Sequence, residues 1–194
     1  MFSGIVTAVG LISSSKTLGD GVRLRIDAPG FGMDDVAIGD SIAVQGVCLT
    51  AVSKDSQGFE AEVSRATLDV TNGLEQGREV NLEKSLRMAD RIGGHLVAGH
   101  VDAVATVTAF EDLGASHRMV VEVPPALSRF IARKASVAVD GVSLTTNTVD
   151  GNRFEVNVIP HTLSATTFRA LRAGSRVNLE VDMLARYVDR LLQE

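Results

Sequence analysis

Ser41-Ile42-Ala43-Val44-Gln45-Gly46-Val47-Cys48-Leu49-Thr50 decides the fold, because the chain contains this stretch twice. Ser136-Val137-Ala138-Val139-Asp140-Gly141-Val142-Ser143-Leu144-Thr145 repeats it 95 residues later. The same spacing carries Gly4-Ile5-Val6 onto Gly99-His100-Val101, Phe59-Glu60-Ala61-Glu62-Val63 onto Phe154-Glu155-Val156-Asn157-Val158, and Thr67-Leu68 onto Thr162-Leu163. From Val80-Asn81-Leu82-Glu83 to Val177-Asn178-Leu179-Glu180 the spacing is 97, so the second copy holds two extra residues before Gly174. A period this long is a whole domain copied, since solenoid repeats run to about 20–50 residues. The expected division is 1–95, 96–183 and a terminal segment 184–194.

Composition narrows the function classes. An apolar share of 45% with 22% charged residues is that of a globular protein without a disordered tail. A net charge of −5 argues against a nucleic-acid partner, which selects a basic face. The single cysteine cannot form an intramolecular disulfide, and a reducing compartment is expected. Met1 to Val6 carries no basic leader, and no apolar run reaches the ~20 residues a membrane span needs. The expectation is a cytoplasmic protein with no membrane partner.

Strand signals dominate. Val22 to Asp27, Phe59 to Val63 and Phe154 to Val158 alternate apolar and polar residues, giving each one apolar face. Gly19-Asp20-Gly21, Pro29-Gly30, Gln57-Gly58, Pro124-Pro125 and Asp150-Gly151-Asn152 separate such runs. Short strands with this punctuation predict an all-β protein of two small closed barrels, with an open sandwich as the competing architecture. Short helical turns are expected at 64–71 and 162–170. Residues 85–96 form the linker, with Gly93-Gly94 its expected flexible point. Leu184, Tyr187, Val188, Leu191 and Leu192 make a helical stripe, and Asp182 suits its N-cap. That stripe packs either on its own barrel or on other subunits.

Two copies of one binding domain suit two molecules of one ligand. The shared recognition set is Ser41/Ser136, Thr50/Thr145, Thr67/Thr162 and the paired Gly-x-Val. Hydroxyls beside strand ends suit a heteroaromatic ring with amide-like edges and a polyol. No phosphate-binding Gly-x-Gly-x-x-Gly follows a strand, and His95 and His100 have no ligand-spaced companions, so no metal site is expected. Chemistry belongs where the copies differ: Cys48 against Ser143, Ile5 against His100, Phe2 against Val97, Gly39 against Lys134, Ser85 against Asp182. Cys48 is a buried residue, a nucleophile or a ligand contact. His100 is structural or a proton-transfer group. Lys134 is a surface charge and Asp182 a helix cap, unless each meets the ligand.

With Met1-Phe2-Ser3-Gly4-Ile5-Val6, Gly46-Val47-Cys48-Leu49-Thr50, Gly93-Gly94-His95-Leu96-Val97-Ala98-Gly99-His100-Val101, Asp140 to Thr145, Ile159-Pro160-His161-Thr162 and Asn178-Leu179-Glu180-Val181-Asp182, the chain resembles the alpha-type riboflavin synthase family, whose members carry two lumazine-binding repeats. The resemblance runs from Met1 to the terminal helix. It implies six-stranded Greek-key barrels and a homotrimer joined through the terminal helices. The productive site would lie between the first barrel of one subunit and the second barrel of its neighbour. The implied reaction joins two 6,7-dimethyl-8-ribityllumazine molecules, transfers a four-carbon unit, and uses no metal or redox cofactor. Some members associate with lumazine synthase, a partner the resemblance leaves open.

Carried over by position, the implied ligand contacts in the first copy are Gly4, Ile5, Val6, Cys48, Leu49, Thr50, Glu62, Val63, Ser64, Arg65, Ala66 and Thr67. In the second copy they are Gly99, His100, Val101, Lys134, Ser143, Leu144, Thr145, Asn157, Val158, Ile159, Pro160, His161 and Thr162. Phe2, Ser41, Cys48, His100, Ser143 and Asp182 are the expected catalytic set, His100 for proton transfer and Cys48 or Ser41 for nucleophilic or water-activating work. Many members have Glu before Thr-Leu in the first copy; Ala66 stands there in this chain and leaves only backbone contacts. A non-catalytic lumazine or flavin carrier of the same superfamily is the competing reading, opposed by the retained Ser41, Cys48, His100, Ser143 and Asp182. A purely structural barrel trimer leaves the repeated hydroxyls unexplained.

Overall fold

A computed structural model describes residues 1–193. Strands β1 (Ala8–Leu18), β2 (Gly21–Asp27), β3 (Ser41–Val44), β4 (Val47–Lys54), β5 (Gly58–Val63) and β6 (Glu79–Lys84) close a barrel in the order β1-β2-β5-β4-β3-β6. The alternation read from the sequence sets the inside: Leu24, Ile26, Phe59 and Ala61 are wholly buried. Closure leaves no strand edge unpaired. Register shifts in β1 between Ile12 and Ser14, and in β4 opposite β5 between Ala51 and Ser53, let the strands coil round the ring.

The second copy supplies β7 (Ala103–Asp112), β8 (His117–Glu122), β9 (Ser136–Val139), β10 (Val142–Thr145), β11 (Thr148–Asp150), β12 (Arg153–Val158) and β13 (Arg176–Val181). Their order is β10-β9-β13-β7-β8-β12-β11, a curled sheet whose two ends are successive pieces of one chain stretch. Those pieces correspond to β4, broken at Thr146-Asn147. Thr146 replaces Ala51 there, and its buried hydroxyl donates to the carbonyls of Ala132 and Ala135. The backbone there follows the first copy: Thr146 N–H donates to the Ala135 carbonyl and the Thr146 carbonyl accepts from Lys134 N–H, as Ala51 does with Asp40 and Gly39.

The barrels meet about a pseudo-twofold axis. The β3–β4 turn, Gln45-Gly46, and the β9–β10 turn, Asp140-Gly141, have positive φ at both residues, as tight hairpins require. They sit back to back: a Cβ on Gly46 would stand 2.6 Å from the Gly141 nitrogen. The Asn81 amide donates to the Asp140 carbonyl at 2.9 Å, and the Asn178 amide donates to the Gln45 carbonyl at 2.9 Å. Burial pushes the Asp140 carboxyl up to about 7, against the pull of the Asn178 N–H.

Residues before each first strand cross to the opposite barrel. Ser143 N–H donates to the Gly4 carbonyl at 2.8 Å, and Cys48 N–H to the Gly99 carbonyl at 2.8 Å. Val6 packs on the core of the second barrel and Val101 on the core of the first. Gly4 and Gly99 have φ of 75° and 79°, and a Cβ on either would come within 2.7 Å of the facing Ser143 or Cys48 Cβ. Only glycine fits both demands. Between the crossings Phe2 and Val97 exchange backbone hydrogen bonds of 2.7 and 3.0 Å.

Helix α1 (Arg65–Val70) is capped by Ser64, α2 (Pro160–Ala165) leads into a 3-10 turn at Thr167–Ala170, and α3 (Met183–Leu192) is capped by the Asp182 carboxylate. The apolar stripe of α3 is not packed on its own barrel: Leu184, Tyr187, Val188, Leu191 and Leu192 are all exposed. The expected flexible point of the linker is also revised. A Cβ on Gly94 would lie 2.3 Å from the Ser3 carbonyl oxygen and 2.6 Å from Ser143 Oγ. Gly94 is needed for close packing there, not for freedom.

Candidate active site

The crossing regroups the candidate residues. By sequence order Gly4, Ile5 and Val6 belong with Cys48, and Gly99, His100 and Val101 with Ser143. The structure pairs them the other way. One barrel mouth combines Gly99-His100-Val101 with Cys48, Leu49 and Thr50 on β4, beside the end of β5 and the start of α1. The other combines Gly4-Ile5-Val6 with Ser143, Leu144 and Thr145 on β10, beside the end of β12 and α2.

Each crossing is held by the glutamate of the repeated Val-Asn-Leu-Glu. Glu83 accepts from Ser3 N–H at 2.7 Å and Gly4 N–H at 3.0 Å; Glu180 accepts from Ala98 N–H at 2.7 Å and Gly99 N–H at 2.9 Å. Burial raises both carboxyls, and the donated N–H groups pull them back toward ionisation. Their repetition is visible in the sequence, but their work appears only once the chain is seen to cross.

At the first mouth the His100 ring is exposed and Cys48 is half-buried. Glu62 is engaged by Arg23 across the β2–β5 ladder, and Val63 points into the core. Ser64 Oγ accepts from Thr67 N–H at 3.3 Å, and Arg65 pairs with Asp69 at 2.8 Å. Ala66 is exposed in the first turn of α1 and offers only a methyl group.

At the second mouth Ile5 and Ile159 expose apolar side chains, 46% and 54% accessible, suited to the face of a flat ring. Asn157, Pro160 and His161 are exposed and Thr162 half-buried, while Val158 is in the core. Lys134 is held at φ 65°, where the first copy has Gly39 at φ 98°. A lysine in this conformation carries strain of about 1–2 kcal/mol that the glycine of the first copy avoids.

Sequence reasoning misses His95, because it lies outside the repeated pattern and lacks metal-ligand companions. Its Nδ1 nonetheless lies 2.7 Å from Ser143 Oγ. Burial lowers its pKa, opposed by the charge of Asp182. Ser143 and His95 thus form a hydrogen-bonded pair on which the charge of Asp182 acts, an arrangement able to relay a proton. Ser41 adjoins the second mouth from the first barrel, sharing Ile5 with it. It lines a cleft of about 570 Å³ with Ser3, Ile5, Thr7, Glu83 and Ser85. Phe2 touches no open surface; it is wholly buried between the barrels with Val97, Ala43, Ala138 and Cys48.

Two like barrels, each presenting hydroxyls and a crossing Gly-x-Val at its mouth, define a duplicated ligand-binding protein. The lumazine binding domain family matches residues 3–85 and again 98–182. A riboflavin synthase of Photobacterium phosphoreum is 43% identical over 194 residues, covering 99% of this chain and 89% of that protein. One from Brucella abortus (strain 2308) is 44% identical over 200 residues, covering 100% and 98%. Among solved structures, LumP complexed with 6,7-dimethyl-8-(1'-D-ribityl) lumazine matches with a TM-score of 0.83 at 26% identity, covering 94% of this chain and 99% of that one. The chain belongs to the riboflavin synthase family.

Proposed function

We propose that this protein makes riboflavin from two molecules of 6,7-dimethyl-8-ribityllumazine, releasing 5-amino-6-(ribitylamino)uracil in the last step of riboflavin biosynthesis. One lumazine gives a four-carbon unit to the other, and the two substrates sum to the two products with no oxidant or reductant left over. The observation that carries this reading is the pair of equivalent mouths furnished with different side chains, Cys48 and His100 at one, Ser143, His95 and Asp182 at the other. Twin binding with unequal chemistry suits a reaction in which one compound serves as both donor and acceptor.

In this reading 1–95 and 96–183 are the two lumazine-binding units and the terminal helix is the assembly element. The uncovered stripe of α3 supports a homotrimer in which the first barrel of one subunit meets the second barrel of another. Holding the rings face to face supplies rate through orientation. His100 and the His95–Ser143 pair move protons from a ring methyl, and Cys48 or Ser41 assists addition at a ring carbon. Phe2 acts indirectly, by packing beneath Cys48 and fixing the crossing segment. A cytoplasmic location belongs to the same reading; no helix among the described residues is long and apolar enough to cross a membrane.

Incubating the purified protein with the lumazine and following riboflavin absorbance tests this directly, and turnover without added cofactor is expected. A second reading is a carrier that binds lumazine without converting it; the likeness to LumP, solved with the lumazine bound, supports the binding that both readings share. Binding with no riboflavin formed would establish the carrier and reject the enzyme.

A further inference from the structure

We propose that Arg186, on α3, is a positioning residue that latches the His100 segment to the terminal helix. This rests on the proposed function, in which His100 moves a proton during lumazine turnover. Arg186 Nη2 donates to the His100 carbonyl at 3.2 Å and to Asp102 Oδ2 at 2.8 Å. Asp102 Oδ2 also accepts from Val181 N–H at 2.8 Å, and Asp102 N–H donates to the Leu179 carbonyl at 2.8 Å. The Asp102 side chain is 11% accessible and that of Arg186 39%, so the carboxylate end of the pair is shielded while the guanidinium stays partly in water.

His100 therefore sits at the middle of a segment fixed on both sides. Glu180 holds the amides before it, Cys48 N–H binds the Gly99 carbonyl, and Arg186 with Asp102 holds the backbone on its carboxyl side. Its exposed ring is the one part left free to meet a ligand. The first copy has the glutamate clamp and lacks the latch. Thr7 stands where Asp102 stands, and its hydroxyl donates to the Leu82 carbonyl of its own barrel. If the latch served only to fold a barrel, both copies would need it. It occurs on the copy whose Gly-x-Val carries the histidine.

Arg186 also belongs to the helix whose other side chains form the uncovered apolar stripe. Whatever α3 packs against, its seating is conveyed to the His100 carbonyl through this one guanidinium. Both bonds leave one nitrogen, Nη2, so a lysine that brings its ammonium to the same point can restore part of the latch, without the fixed orientation of the planar guanidinium.

The test uses four full-length variants, Arg186→Ala, Arg186→Lys, His100→Gln and the double His100→Gln/Arg186→Ala. Each is measured for kcat and KM of riboflavin formation and for oligomeric state by sedimentation. The latch predicts that Arg186→Ala assembles as the parent does and loses about tenfold to a hundredfold in kcat, the size expected of a misplaced catalytic group. KM stays within about twofold, because the ligand contacts remain. Arg186→Lys recovers part of the loss. In the His100→Gln background, adding Arg186→Ala costs nothing further, since the arginine acts only through that histidine.

An Arg186→Ala enzyme as active as the parent, beside a His100→Gln enzyme with lowered but measurable kcat, overturns the latch alone. So does a loss that persists undiminished in the double variant, or one that tracks dissociation of the assembly. A His100→Gln enzyme with full turnover, or a parent without turnover, instead rejects the role given to His100 itself and the latch with it.

Discussion

Asn81 and Asn178 make the same 2.9 Å hydrogen bond to the turn carbonyl of the opposite barrel, and Glu83 and Glu180 hold the two crossing segments by the same pair of amides. Cys48 and Ser143 also occupy equivalent strand positions, each donating its N–H to a crossing glycine, but their surroundings differ. Ser143 has an imidazole 2.7 Å from its hydroxyl and a neighbouring carboxylate, while Cys48 lies in the mouth that receives His100. The asparagine and glutamate contacts that join the barrels are symmetrical, and the side chains beside Cys48 and Ser143 are not. Duplication provides two matched pockets, and divergence at a few side chains makes one a partner to the other.

The comparison breaks first at the glycines. Gly4→Ala and Gly99→Ala should each cost about 2–4 kcal/mol, since a left-handed φ and a facing strand both oppose a Cβ; denaturant unfolding should give similar losses for the two. A large inequality would mean that the crossings are not equivalent supports. The next effect separates the mouths by activity. Ser143→Ala should lower kcat about a hundredfold and His95→Gln about tenfold, both with the parent's melting temperature, as expected for loss of a proton relay. A kcat unchanged in both would remove proton transfer from the second mouth.

Asn81→Ala and Asn178→Ala test the symmetrical part. Each leaves buried backbone groups unpaired and should cost about 2 kcal/mol, equally and without regard to which mouth is nearer. The smallest effect concerns Asp140 and Gln45, which hold equivalent turn positions although only one titrates. With its carboxyl raised to about 7 when folded, Asp140 keeps a proton that the unfolded chain releases near its ordinary value of 3.8. Its contribution is therefore present in acid and lost as pH rises from about 4 to 7. Asp140→Asn should raise Tm by a few degrees at pH 8 and leave it unchanged at pH 4; an equal shift at both values would show that ionisation is not involved.

Much of this is legible in the chain. The repeat of Ser41 to Thr50 in Ser136 to Thr145 announces two like barrels, and alternation along Phe59 to Val63 marks their inner faces. The stripe from Leu184 to Leu192 marks the helix, though periodicity cannot say what covers an apolar face. The crossing is not legible, because spacing tells which residues are equivalent and not which barrel each one enters. Spacing therefore groups Gly4 with Cys48 instead of Ser143. His95 escapes for a related reason: a residue outside the repeat has no counterpart to differ from, and only the fold brings it to Ser143.

Stoichiometry tests the central claim most directly. Calorimetric titration of the assembled protein with an unreactive lumazine analogue should reach two bound molecules per chain, one for each mouth. Saturation at one molecule per chain, with the second mouth empty at every concentration, would contradict the account of twin substrates held by a duplicated fold.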